Sequence, residues 1–132
     1  MNILRPVDIE EEIRLALKDY VANINCRPLP ADFATPHLLI TATGGSSENE
    51  IDTFTVVLDA RAEKDEAAYE LIRTAQGLLK HQAANQVGAL RHVSINSLAR
   101  WGNDPVRPDL KLCTLTVLVT AHKESFTIEE ES

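Results

Sequence analysis

The segment from Leu110 to His122 constrains the fold more than any other part of the chain. Its residues alternate strictly between an apolar set and a set rich in threonine. This alternation is the pattern of a β-strand, in which successive side chains point to opposite faces of a sheet. The apolar set is Cys113, Leu115, Val117, Val119 and Ala121, and the opposite set is Leu112, Thr114, Thr116, Leu118 and Thr120. The sequence therefore predicts a sheet with one buried face and one mixed face.

Five other segments complete the predicted fold. Strand patterns occupy His37 to Thr43, Ile51 to Arg61 and Leu90 to Trp101, while apolar residues at helical spacing occupy Asp8 to Ile24 and Asp65 to Val87. The resulting order is α-β-β-α-β-β. A single antiparallel four-stranded sheet packed with two helices would bury these apolar faces economically. We therefore predict an α+β fold of that kind.

The predicted ends of these segments follow from local chemistry. Asp8 and Glu11 resemble a capping box at the start of the first helix. Asp65 is a candidate N-cap and Gly88 a candidate C-cap for the second helix. The stretch from 25 to 36 contains three prolines and is predicted to be a loop, and the polar stretch from 44 to 50 is predicted to be a flexible hairpin loop.

The chain of 132 residues has the length of one ordinary domain. We assign residues 1–122 to a single α+β domain and residues 123–132 to an acidic, mobile C-terminal tail ending in Glu129, Glu130 and Glu131. The N-terminus turns acidic at once and lacks the apolar stretch of a signal peptide. We expect no contact with a membrane and a location in the cytoplasm of the producing cell.

The charge of the chain argues against a protein that grips DNA. Its formal net charge is −7, from 20 acidic and 13 basic residues, whereas duplex binders rely on lysine and arginine at phosphates. An acidic surface repels phosphate and suits a protein that DNA must slide past.

No catalytic, metal or cofactor site is predicted. The two cysteines, Cys26 and Cys113, form no closely spaced motif and are expected to be reduced. His37, His92 and His122 lie on predicted strands, but no zinc-protease motif is present. The run from 44 to 47 has the composition of a phosphate loop without its Gly-Lys-Ser/Thr ending.

Four aspartates were candidates for paired-carboxylate chemistry, which we do not predict. Asp65 is better explained as a helix cap, and Asp104 precedes a proline in a turn. The other two are Asp59 and Asp109.

Two regions are candidate interfaces with other protein chains. Trp101, the only tryptophan, lies beside Arg100, and both residue types are enriched at interface hot spots. The hairpin loop supplies the other candidates, which are Gly44, Gly45, Glu48, Glu50 and Asp52. Ordinary packing of Trp101 at the core edge is the alternative, and the mixed face of the last strand suits either sheet-to-sheet contact or plain solvation.

The order of elements, the small size, and the segment Asn103-Asp104-Pro105 followed by the strand from Leu112 to Val119 resemble the tail-terminator (tail-completion) proteins of long-tailed bacteriophages and prophages. The resemblance spans Asp8 to His122 as a pattern, without a diagnostic residue motif. It implies a homo-oligomeric ring, commonly of six subunits, that caps the tail tube, stops its growth and joins the head connector. DNA would pass through the ring without specific binding, and the protein would end in the virion tail. The acidic tail of this chain is not a feature of the resemblance.

Two other classes of function stay open at this point. A small ligand- or peptide-binding α+β module acting as a homodimer would show a closed apolar pocket between helix and sheet, with a few convergent polar groups. A small enzyme or toxin would bring His37, His92 and His122 together with Asp59.

Overall fold

The computed structural model of the protein describes residues 1–129, which form two helices and eight strands. Their bounds in chain order are β1 Asn2–Arg5, α1 Ile9–Leu17, β2 Ile24–Cys26, β3 His37–Glu48, β4 Ile51–Ala62, α2 Asp65–Ala84, β5 Leu90–Ile95, β6 Arg100–Asn103, β7 Lys111–His122 and β8 Glu124–Thr127.

The strands form a mixed six-stranded sheet and a separate two-stranded ribbon, so the prediction of a single antiparallel four-stranded sheet is wrong. The large sheet has the order β2-β3-β4-β7-β5, with β6 also paired to β7. β2 runs parallel to β3, and every other pair is antiparallel. The chain is nevertheless α+β overall.

Two features of the large sheet were not predicted from the sequence. β2 has only three residues and lies at the start of the segment predicted to be a loop, where Pro28 soon follows it. The predicted third strand from Leu90 to Trp101 is two strands on the same edge of β7. The ladder breaks between them because the backbone N–H groups of Asn96 and Ser97 both donate to the carbonyl oxygen of Thr116.

The two-stranded ribbon joins the two ends of the described chain. β1 pairs antiparallel with β8, and Ile3 lies opposite Phe126. Residues 124–127, assigned from sequence to the mobile tail, are therefore strand. Glu130 and Glu131 of that predicted tail lie outside the described residues.

Both helices pack against one face of the large sheet. The apolar stripe predicted for the second helix is buried in full, as are the inward residues of β7. Cys113 is a small core residue, as predicted. The stripe of α2 comprises Ala68, Ile72, Ala75, Leu79 and Ala83.

The helix ends differ in part from the sequence predictions. Asp8 caps α1 by accepting a hydrogen bond from the Glu11 N–H, as predicted. α1 ends at Leu17, however, and the chain then turns toward β2. Lys64 holds the N-cap position of α2, so Asp65 lies in its first turn.

The hairpin of β3 and β4 is longer than predicted, and residues 44–48 are strand and not loop. Each of the two strands has 12 residues, and only Asn49 and Glu50 form the turn. β7 supports β4 over its whole length, as far as the Ile51–His122 pair. β4 therefore provides a complete template on which β3 continues, with a register shift between Ala42 and Gly44.

Within residues 1–129, neither helix combines the length and the apolar composition that crossing a membrane would require.

Candidate interaction site

The first candidate surface is the free edge of β3. β2 covers β3 only at Leu38–Ile40, and no described strand pairs with its outer side beyond that point. We call residues 43–48 the hairpin edge, and all of them are exposed. A strand edge of this kind presents unpaired N–H and C=O groups to a partner. Gly44, Gly45 and Glu48 of the sequence prediction lie here, and Glu50 lies in the adjoining turn.

The second candidate surface lies at the opposite edge of the same sheet. β6 pairs only with β7 among the described strands, and all four of its residues are exposed. We call residues 100–103 the β6 edge. The Trp101 side chain packs against Tyr69 of α2, with 5.5 Å between ring centroids, yet remains 52% exposed. Trp101 therefore packs at the edge of the core, which was the alternative, and the interface role of its exposed surface stays a prediction.

The two edges carry charges of opposite sign. Glu48 and Glu50 are exposed at the tip of the hairpin, and Arg100 is exposed on the β6 edge. Within the described part of the chain, none of these three side chains forms an ion pair. Opposite charges that are unpaired within one subunit can attract each other between subunits.

An open cleft lies directly beside the hairpin edge, between the start of α1 and the sheet. Its volume is about 300 Å³. Pro6, Ile9, Ala42 and Phe54 give it a mainly apolar lining. The sequence could not show this cleft, because its walls come from three separate segments.

Asp52 supplies the buried charge of the cleft. Unlike the other predicted interface residues it is only 2% exposed, and it forms an ion pair with Lys123. Burial alone would raise the pKa of the Asp52 carboxyl, but hydrogen bonding and the positive charge of Lys123 outweigh that effect and lower it. Lys123 also donates to the Ser47 hydroxyl at 2.7 Å. The Oδ2 atom of Asp52 is buried and has no hydrogen-bond partner among the described residues.

The outer face of the sheet, opposite the helices, is half-buried over its middle. Val57 and Leu118 lie among threonines there, and none of these side chains is fully buried. The Thr114 hydroxyl donates to Asp59 Oδ1 at 2.6 Å, which explains this aspartate as part of a cross-strand hydrogen bond.

One end of the outer face is covered by a polar cluster that the sequence reasoning missed. Arg61 Nε donates to Asp104 Oδ2 at 2.6 Å, and both side chains are buried. Burial alone would raise the pKa of the Asp104 carboxyl, but hydrogen bonds from the Val106 N–H and from Arg61 outweigh that effect and lower it. The two residues are 43 positions apart, so no local pattern could connect them.

His37 does not converge with the other two histidines. His92 pairs with Thr120, two positions from His122 on β7, whereas His37 lies near the other end of the sheet. His37 is buried, and its Nε2 lies 2.7 Å from Asn25 Oδ1. His37 pairs with Arg61, and Arg61 pairs with Leu112. His122 is ten residues further along β7, about 33 Å away at ~3.3 Å per residue.

No described group of three or more histidine, cysteine, aspartate and glutamate side chains is placed to hold a metal ion. The carboxylates considered for acid–base chemistry are also dispersed. Asp59 and Asp104 have the structural partners described above, and Asp109 pairs with the exposed Arg107 at 3.4 Å.

Both cysteines are free, and neither has the environment of a reactive thiolate. Burial and the carboxylates of Glu11 and Glu10 raise the pKa of Cys26 to about 11. Burial also raises the pKa of Cys113. Three strand spacings separate β2 from β7, about 14 Å at ~4.8 Å each, which is too far for a disulfide.

No protein-family model matches the chain, and a search of curated proteins finds no significant match either.

Proposed function

We propose that this chain is a structural tail-terminator protein of a long-tailed bacteriophage or prophage. It assembles head to tail into a ring through its hairpin edge and its β6 edge. The ring caps the tail tube, stops its growth and joins the head connector. The chain would be made in the cytoplasm of the bacterial host and end in the virion tail. The family in this proposal comes from the sequence resemblance, and the proposed mode of assembly comes from the two edges.

The observation that carries this proposal is the pair of unlike edges on opposite sides of one sheet. A contact between two different patches is heterologous, and repeated heterologous contacts close into a ring when the rotation allows. The two edges differ in charge, with Glu48 and Glu50 at one and Arg100 at the other. Unlike edges of neighbouring subunits therefore attract each other, whereas like edges repel each other. A single self-complementary patch would instead favour a dimer.

The charge of the chain suits passage of DNA. With a formal net charge of −7 per copy, a ring of several copies carries a large excess of negative charge. An acidic inner wall would repel phosphate and let DNA pass without specific binding.

Native mass spectrometry over a concentration series, with and without magnesium, is the first test. A closed ring, above all of six copies, supports the proposal. Because assembly can require the tube as a template, a pull-down with purified tail tubes accompanies it. A chain that neither closes into a ring nor binds tubes is not a tail terminator.

The open cleft favours a second candidate function, a ligand- or peptide-binding module acting as a homodimer. Its apolar lining with one buried carboxylate resembles a small-molecule site, although it is open to solvent at the sheet edge. A stable dimer that never grows, together with saturable binding of an apolar amine at the cleft, would support this candidate instead.

A further inference from the structure

We propose that the hairpin edge pairs with β5 of a neighbouring copy of this chain, so that the two strands adjoin in one antiparallel sheet. β5 lies on the same side of β7 as the β6 edge. The inference therefore rests on the proposed head-to-tail ring and names the strand that the hairpin edge meets. The height of the two strands, their directions, their hydrogen-bonding pattern and their charges support it.

β5 and the hairpin edge lie at the same height on opposite sides of the sheet. Gly45 pairs with Phe54 of β4, which pairs with Val119 of β7. Val119 pairs in turn with Val93 of β5. A neighbour displaced sideways in the plane of the sheet therefore brings its Val93 beside Gly45.

The two strands also run in suitable directions. Each step from β3 to β4, from β4 to β7 and from β7 to β5 is antiparallel, so β3 and β5 run in opposite directions. The β5 strand of a sideways neighbour would thus form an antiparallel pair with β3, which is the more stable kind of ladder.

The backbone of Gly45 points its hydrogen-bonding groups away from β4. The Lys123 N–H donates to the carbonyl oxygen of Glu50, and hydrogen-bonded pairs recur at every second residue of an antiparallel ladder. Phe54 therefore directs its N–H and C=O groups toward β7. Its partner Gly45 is in a non-hydrogen-bonded pair with it and directs its own groups to the open side of β3.

Val93 has the matching arrangement on the other side of the sheet. The Asn96 N–H donates to the carbonyl oxygen of Thr116 on β7. The same alternation turns the backbone groups of Val93 away from β7, and no described strand covers that side of β5. Gly45 and a neighbour's Val93, which are level with each other, can therefore form a hydrogen-bonded pair.

The hairpin edge is accessible to such a partner. All of residues 43–48 are exposed, and Gly44 and Gly45 have no side chains that would hold another backbone away. The ladder would end at Ala42, because the Ala42 N–H already donates to the Glu10 carboxylate at 2.9 Å, and Arg27 pairs with that carboxylate.

Charge also matches across the proposed contact. Two residues from the Gly45–Val93 pair, Arg91 of the neighbour would lie opposite Ser47 and next to Glu48. Within the described part of the chain, neither Arg91 nor Glu48 forms an ion pair. Opposite charges of this kind favour a neighbour's β5 over a second hairpin edge, which would bring acids together.

The test is disulfide cross-linking of full-length variants with cysteine at Ser46 and His92. Both side chains are exposed, and the proposed register places them opposite each other, next to the Gly45–Val93 pair. In this non-hydrogen-bonded position their Cα atoms would lie about 4.5 Å apart, which suits a disulfide. Within one chain, three strand spacings separate β3 from β5, about 14 Å, so only two different chains can form the bond.

All variants also carry Cys26→Ser, because Cys26 is only partly buried, whereas Cys113 is buried. After oxidation at millimolar concentration, Ser46→Cys with His92→Cys should give a ladder of covalent oligomers. The matched control is Ser46→Cys with Arg100→Cys, an exposed residue of the β6 edge. We expect at least about tenfold less cross-linked product from this control, because its thiols are outside disulfide range. Circular dichroism checks that each variant folds.

A mixing experiment tests whether the contact joins unlike edges. Chains with only Ser46→Cys and chains with only His92→Cys are oxidised separately and in an equal mixture. The mixture should form a covalent heterodimer that grows no further, and neither variant alone should form a dimer.

Three results would overturn the inference. They are no cross-linked ladder from the folded Ser46→Cys and His92→Cys variant, equal or greater cross-linking through Arg100→Cys, and no heterodimer in the mixture. Cross-linking through Arg100→Cys would move the contact to the β6 edge and leave the ring proposal standing. The pull-down with tail tubes tests the tail-terminator proposal separately.

Discussion

At the scale of single residues, the buried ion pair between Arg61 and Asp104 gives the sharpest test of the fold. Asp104→Ala leaves the buried Arg61 guanidinium without its counter-charge and also removes the acceptor for the Val106 and Arg107 N–H groups. We expect the free energy of unfolding to fall by about 3–5 kcal/mol, the usual cost of breaking a buried pair. Urea denaturation followed by circular dichroism measures it.

Asp109→Ala is the control for this prediction. It removes the same kind of group from an exposed pair with Arg107, in which the two side chains are 66% and 43% accessible, respectively. The free energy of unfolding should fall by less than about 1 kcal/mol. Equal losses for the two variants would mean that the buried pair does not stabilise the fold as described.

His37 should make stability depend on pH. Burial and the nearby positive charge of Arg61 lower its pKa below the ordinary value of 6.5. The unfolded chain therefore binds a proton more readily than the folded one, and this stability is fully present above pH 6.5 and is lost as pH falls below it. His37→Gln should remove this part of the decline in a urea series at several pH values.

His81→Gln is the matched control, because His81 is exposed on α2. It should retain the decline of the parent protein. If His37→Gln and the parent have the same pH dependence between pH 5 and 7, then His37 is not the group responsible.

At the scale of elements, the long hairpin depends on a glycine. Gly45 has a φ of +152°, and a Cβ atom there would lie 2.1 Å from the carbonyl oxygen of Thr53. Gly45→Ala must therefore displace the backbone of β4. We expect a loss of more than about 1 kcal/mol in the free energy of unfolding, with faster amide exchange in residues 43–54.

The chain offers a control of opposite sign in the middle of α2. A Cβ atom at Gly77 meets nothing within 4 Å, so Gly77→Ala should raise the free energy of unfolding by about 1 kcal/mol. Similar effects of the two substitutions would show that the close approach at Gly45 is not what makes glycine necessary there.

At the scale of the whole molecule, the charges of the two edges should control assembly. The double reversal Glu48→Lys and Glu50→Lys removes the attraction for Arg100 of a neighbour, and Trp101→Ala removes half of the exposed aromatic pair with Tyr69. We expect both variants to assemble more weakly than the parent, by about tenfold or more in dissociation constant. Their circular dichroism spectra should stay unchanged, because none of these side chains is buried.

The control for the charge reversal is Asp19→Lys with Asp32→Lys. These exposed residues lie in the α1–β2 and β2–β3 connections, outside both edges, and the change in net charge is the same. Loss of assembly in this control would indicate a general effect of charge. Normal assembly in the edge variants would mean that the ring contacts lie elsewhere, for example on the half-buried outer face.

The sequence by itself determined which faces the main elements bury. The two-residue period of β7 and the three- and four-residue period of α2 correctly predicted their buried side chains, because these periods are fixed by local backbone geometry. The start of α1 at Asp8 could also be predicted from the sequence, because a helix cap is a contact between residues three positions apart. The candidate interface residues on β3 and β6 were chosen from residue type alone, and their assignment stays a prediction.

Only the tertiary structure decided which strands meet and where their edges are left open. The three-residue β2 exists because β3 lies beside it, and β8 exists because β1 pairs with it across the length of the chain. Gly44 to Glu48 has the composition of a loop, yet it is strand because β4 and β7 form a continuous template. The cleft and the Arg61–Asp104 pair arise the same way, from residues far apart in sequence. A local pattern reports only local geometry, whereas pairing, burial and free edges depend on which distant segments the whole chain brings together.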